Sequence, residues 1–237
     1  MKPVAKPPLP ASVPALVCTL GLCCLATVGA GCSGWKPFWT NEKAAREREK
    51  YGPTADQRIK QLGEAAKRAK AGTGEEREAF TRKLVEDMLA EHDPRVRARI
   101  LEAAAGFDTA AAAAVCRGAV HDPDQRVRLA ACAVWAKRPG AESVELLTGR
   151  YRSDPDNDVR LAALRSLGEL GDKAAIPVLA RALEDADPAA QYRAVGALKK
   201  VSGRDLGDDV NAWRAWAADP EGASAEWSIA ETFRKLF

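Results

Sequence analysis

The stretch 154-DPDNDVRLAALRSLG-168 decides the fold. An Asp followed by Val159, Ala163 and Leu167 at helical spacing reads as a capped amphipathic helix. Its opening string returns along the chain as 93-DPRVR-97, 124-DQRVR-128, 156-DNDVR-160 and 187-DPAAQ-191, with the Asp residues 31, 32 and 31 positions apart. The apolar residue three later keeps that spacing (Val96, Val127, Val159, Ala190). So does the one eight further on (Ala104, Trp135, Leu167, Leu198). Upstream lies a parallel series, Leu84, Val115, Leu147 and Leu179, with Met88, Ala119, Tyr151 and Leu183 behind it. Agreement at five independent positions marks an internal repeat, which takes precedence over any local reading.

Each period holds two helices. The first, as in 173-KAAIPVLARALED-185, carries Ile176, Leu179 and Leu183 as a helical stripe. The second opens at the Asp, which accepts bonds from free backbone N–H groups and favours the positive end of the helix dipole. Pro94 and Pro188 follow at the first helical position, where a missing N–H costs nothing. Small residues in 130-AACA-133 and 162-AAL-164 allow helices to approach closely. Short turns make successive helices antiparallel neighbours.

The pattern D-P-D-x-x-V-R-x-A-A-x-x-x-L-G resembles the HEAT repeat, and is similar to the short bacterial form found in bilin-lyase-like proteins. Pro177, inside the first helix of its repeat, fits that family too. The resemblance covers residues 75–203 and implies an all-α solenoid of about four helical hairpins. Repeat four departs from it, with Ala190 and Gln191 in place of Val-Arg, and repeat one is degenerate after Leu101. The family's second helices line a concave surface, and its recurring Arg pairs with Asp residues of neighbouring repeats. For this chain that implies a structural ladder of Arg97, Arg128 and Arg160 with Asp93, Asp124 and Asp156.

Outside the repeats the chain changes character. Lys2 and Lys6 precede the uncharged run 11-ASVPALVCTLGLCCLATVGAGC-32. A basic segment, an apolar stretch and small residues make an export signal over residues 1–31. It resembles a bacterial lipoprotein signal with Cys32 as the lipidated residue, although Gly29 stands where that family usually has Leu. Cleavage after Ala30 and retention as an uncleaved anchor are the alternatives. Residues 32–53 read as a membrane-proximal linker. In it Trp35, Phe38 and Trp39 suit either the membrane interface or the first helix of the array. Residues 54–74 read as a helix capped at Thr54 with Ile59, Leu62 and Ala66 on one side, either a solvated spacer or an N-terminal cap. After Gly203 the register stops. Asp208 and Asp209 can cap a helix bearing Val210, Trp213 and Trp216, and a solenoid must close its open end. An aromatic ligand cage is the rival reading of the two Trp. The amphipathic tail 225-AEWSIAETFRKLF-237 completes the C-terminal segment, residues 204–237.

Charge and chemistry exclude several classes. The formal net charge is +3, and the export segment takes two of those charges. The repeats lack the basic bias of a nucleic-acid protein. His92 and His121 each precede Asp, too few ligands for a metal. Cys116 and Cys132 fall at apolar helix positions, where a buried thiol competes with a disulfide. No nucleophile–base constellation or phosphate loop is present, so neither catalysis nor a cofactor is expected.

The remaining candidate is a surface. Two positions after the core Val lie Ala98, Leu129, Leu161 and Tyr192, flanked by Glu102, Arg165 and Lys199. Exposed, this row would form an apolar ridge for a protein partner; otherwise it packs between repeats. The chain therefore reads as a non-catalytic scaffold, exported and held at the cell envelope through its N-terminus, with a protein partner on the concave surface. A bilin-lyase-like chromophore handler is the alternative, against which the export signal argues.

Overall fold

The computed structural model describes residues 42–220. The export signal, Cys32, the Trp35–Trp39 aromatics and the amphipathic tail all lie outside the described residues. The chain divides into two units, residues 1–50 and 51–237. What is described of the first is residues 42–50, which with Tyr51 form helix α1 (Glu42–Tyr51). Its sequence EKAAREREKY is too polar to offer an apolar stripe.

The second unit is helical throughout its described residues. Four hairpins follow one another: α3 (Gly74–Ala90) with α4 (Pro94–Ala104), α5 (Ala110–Ala119) with α6 (Gln125–Trp135), α7 (Ala141–Ser153) with α8 (Asn157–Leu170), and α9 (Ile176–Ala182) with α10 (Pro188–Ser202). Before them comes α2 (Ala55–Ala71), and after them α11 (Val210–Ala218). The second helices stack in chain order as a layer, α4 on α6, α6 on α8 and α8 on α10, and α2 joins that layer against α4. In the first-helix layer α3 packs on α5 and α11 packs on α9. Among the described residues the array thus opens with a lone second helix, and the last helix described belongs to the first-helix layer.

Three of the five aligned positions make the core. Leu84, Val115, Leu147 and Leu179 are buried from the first layer, and Val96, Val127, Val159 and Ala190 from the second. Ala104, Trp135, Leu167 and Leu198 close the same spine. Each fully buried Leu or Val contributes roughly 1.5–3 kcal/mol, and none of the hairpins could bury its stripe alone. Within the second-helix layer α8 and α10 approach so closely at Gly168 that an added methyl would lie 2.6 Å from Ala197 Cα. Glycine there is a packing requirement between α8 and α10.

Local chemistry sets the boundaries. Asp93, Asp124, Asp187 and Asp209 each accept the N–H two residues on, capping α4, α6, α10 and α11 at 2.8–2.9 Å. Thr54 and Thr73 form reciprocal capping boxes with Gln57 and Glu76. The segment 173–185 is not one helix as expected: a 3₁₀ turn at Lys173–Ala175 precedes α9, which ends at Ala182. Pro177 has no N–H to give to a preceding turn, so regular helix starts beside it. At the C-terminal end Trp213 is fully buried and Trp216 nearly so, stacked edge-on at 5.5 Å. Trp213 Nε1 donates to the Gly207 carbonyl at 2.9 Å. Rings this enclosed cover α9 and α10 and leave no open cage. Cys116 and Cys132 are buried free thiols. Burial and the Asp154 charge push the Cys132 thiol up to about 12.

Candidate functional site

The recurring Arg occupies the fourth position after each cap and points along the array. Arg97 donates Nε and Nη2 to the two carboxylate oxygens of Asp122, both at 2.8 Å, and Nη1 to the carbonyls of Glu91 and His92. Arg128 repeats this on Asp154 at 2.9 and 3.0 Å, with Nη1 on the carbonyls of Asp122 and Pro123, and it adds a bond to Asp156. Arg160 reaches Asp185 at 3.3 Å.

The acids of the ladder are therefore Asp122, Asp154 and Asp185, two residues before the caps. This corrects the expected set. Asp93 and Asp124 spend their side chains on the N-termini of their own helices, and of the expected acids Asp156 alone touches a ladder guanidinium. Each ladder acid also accepts the backbone N–H of the following cap Asp, at 2.8–3.0 Å. One carboxylate thus shapes the turn inside its own hairpin and binds the guanidinium of the preceding one. Burial alone pushes the Asp154 carboxyl up. The Arg128 hydrogen bonds, the Asp156 N–H and the Arg150 charge outweigh it and hold Asp154 below its ordinary value.

Both ends of the ladder were missed in the sequence. Arg58 of α2, four residues after Thr54, binds Glu91 through one nitrogen at 2.8 Å, so α2 supplies a rung as α4, α6 and α8 do. At the far end Gln191 stands at the Arg position. Its Nε2 keeps the carbonyl contact six residues back, to Asp185 O at 2.7 Å, and carries no charge. A guanidinium there would need a further acid.

The expected apolar ridge is divided. Ala98, Leu129 and Leu161 are half-buried and packed against the core, because neighbouring second helices close over the seams where they lie. The flanks are occupied locally: Glu102 by Arg99, Arg165 by Glu169, and Lys199 by Asp205 and Asp208. Tyr192 alone stands clear, 65% exposed, on α10, the last described helix of that layer. Beside it a hollow of about 280 Å³ is lined by Arg165, Arg193, Gly196, Lys199, Lys200 and a single acid, Asp208. Gly196 follows Tyr192 by one helical turn and has open space above it. Arg193 and Lys200 are exposed and make no ion pair among the described residues. The result is one aromatic platform with a basic rim.

His92 and His121 are both exposed, and no group of three or more His, Cys, Asp or Glu gathers among the described residues. No helix among them is long and apolar enough to cross a membrane.

Comparison with known families agrees with this architecture. A family model described as HEAT repeats matches twice, over residues 81–165 and 145–230. No curated protein matches the chain. The two matches together span well over half of the sequence and coincide with the stacked hairpins, so the chain belongs to the HEAT-repeat family.

Proposed function

We propose that this chain is a non-catalytic protein-binding scaffold, exported and held at the bacterial cell envelope by lipid on Cys32, with its partner engaged on the second-helix side around Tyr192. The HEAT architecture supports the scaffold reading, because stacked helix pairs present an extended surface for partners. The observation that carries the location is Tyr192: a large aromatic side chain left open beside Arg193 and Lys200. Tyr combines contact area with few rotatable bonds and is enriched at binding hot spots, as is Arg. The basic rim favours an acidic partner segment. The basic start of the chain and its small residues before Cys32 support the envelope anchor.

The test is crosslinked pull-down from envelope extracts with the wild-type chain and with Tyr192→Glu/Arg193→Glu. Both positions are exposed, so the fold is expected to survive, and circular dichroism checks it. Loss of the captured partner supports the reading. Unchanged capture by a folded variant overturns the Tyr192 site. Mass analysis of the mature N-terminus tests the lipid separately, and an unmodified Cys32 overturns the lipid anchor.

A further inference from the structure

The third rung of the ladder is built differently from the first two. Arg97 and Arg128 each grip a carboxylate with two nitrogens and use Nη1 on carbonyls five and six residues back. Arg160 makes one contact to Asp185 and turns Nε to the Tyr151 carbonyl, nine residues back, both at 3.3 Å. Its Nη1 donates to no described residue, and its side chain is 33% exposed. The local difference is Tyr151, which stands where the other hairpins carry Met88, Ala119 and Leu183. Its hydroxyl donates to Asp185 Oδ2 at 2.8 Å, the same oxygen that Arg160 Nη2 reaches only at 3.3 Å.

The altered rung opens a cleft of about 650 Å³ between α7, α8 and α9, lined by Tyr151, Arg152, Arg160, Arg181, Glu184 and Asp185. That volume falls within the roughly 300–1,000 Å³ typical of small-ligand sites. Its charges do not balance. Asp185 is matched by Arg160, and Glu184 by Arg214 at 2.7 Å. Arg152 and Arg181 are exposed and have no carboxylate partner among the described residues. Arg152 is also foreign to the repeat, where the equivalent positions are Leu89, Val120 and Glu184.

We propose that this cleft is an oxyanion site, in which Arg152, Arg160 and Arg181 hold a phosphate or carboxylate group of a small ligand. Planar guanidinium forks suit either group through paired charge-assisted hydrogen bonds. An anion there would take the free Nη1 of Arg160 and tie α7 to α9. The site shares no residue with the Tyr192 hollow and does not depend on that reading.

The test uses the full chain at low ionic strength, titrated with inorganic phosphate and, separately, with tricarballylate. Calorimetry gives affinity and arginine Nε–H resonances report the location. Saturable binding of either probe, shifting Arg160, is expected; the probe that binds more tightly identifies the group. Arg152→Gln/Arg181→Gln should weaken binding by about tenfold or more, the scale of one lost charge-assisted bond. Arg117→Gln, at the position of Arg181 in another hairpin but paired there with Glu142, should leave it unchanged. If the double variant does not fold, the two single variants replace it. Absence of saturable binding by both probes overturns the site. So does full affinity in a folded variant, or shifts confined to other arginines.

Discussion

Replacing Arg128 by Ala should cost far more stability than replacing Arg160, although both occupy the same place in the repeat. Arg128 is 5% exposed and its Asp154 partner is fully buried. Its removal strips Asp154 of two hydrogen bonds and leaves the Asp122 and Pro123 carbonyls unsatisfied. Breaking a buried pair from one side costs about 3–5 kcal/mol. Arg150, still 3.2 Å from Asp154, offsets part of this and brings the expectation to about 3 kcal/mol. Arg160 gives up one long contact to a partly exposed carboxylate and one to a carbonyl, so about 1 kcal/mol is expected. Urea unfolding followed by circular dichroism reads the difference, provided the slopes agree. Removing both charges together, as Arg128→Met/Asp154→Leu, should recover much of the loss, because no unpaired carboxylate then remains inside. Equal destabilisation by the two Ala variants, within about 0.5 kcal/mol, would refute the claim that burial and bidentate geometry set the strength of each rung.

Asp154 and Asp185 are both held below the ordinary Asp value of 3.8, Asp154 as described and Asp185 chiefly by the Asp187 N–H. Their contribution is fully present above that value and is lost as the pH falls through the depressed folded values, so acid titration of stability should fall below about pH 4, and less steeply in Asp154→Asn. Gly168→Ala should destabilise by about 1–3 kcal/mol in thermal unfolding, since the new methyl meets the α10 backbone rather than a movable side chain. Cys132, with its thiol pushed up to about 12, and the equally buried Cys116 should resist iodoacetamide at pH 8 and react together once urea unfolds the chain; fast native labelling at either position would contradict that burial.

The hairpins were legible because five aligned positions repeat at one interval, and no local propensity could override such agreement. The α2 rung was not, because Thr54 lies 39 residues before Asp93 rather than 31 or 32, and a different residue caps the helix. The visible signal was Arg58, four residues after that cap. The ladder acids were misassigned for a geometric reason. The strings 122-DPD-124, 154-DPD-156 and 185-DAD-187 each offer two carboxylates, and only the turn decides which one faces the preceding hairpin. The ridge depended on how tightly successive second helices close their seams, which spacing alone does not give. The arginine cleft follows from Tyr151 replacing a smaller residue, an effect visible only once its hydroxyl and Arg160 compete for the same oxygen.

Gln191 carries a consequence for how long such an array can be. Each described ladder guanidinium upstream of it (Arg58, Arg97, Arg128, Arg160) is answered by an acid one unit further on, so a whole unit duplicated before Gln191 would keep the ladder's own charges matched. A unit appended after it would bring an acid that no upstream base answers. A neutral amide at one position therefore works as a terminator, and the number of units can grow or shrink behind it without rewriting the rest.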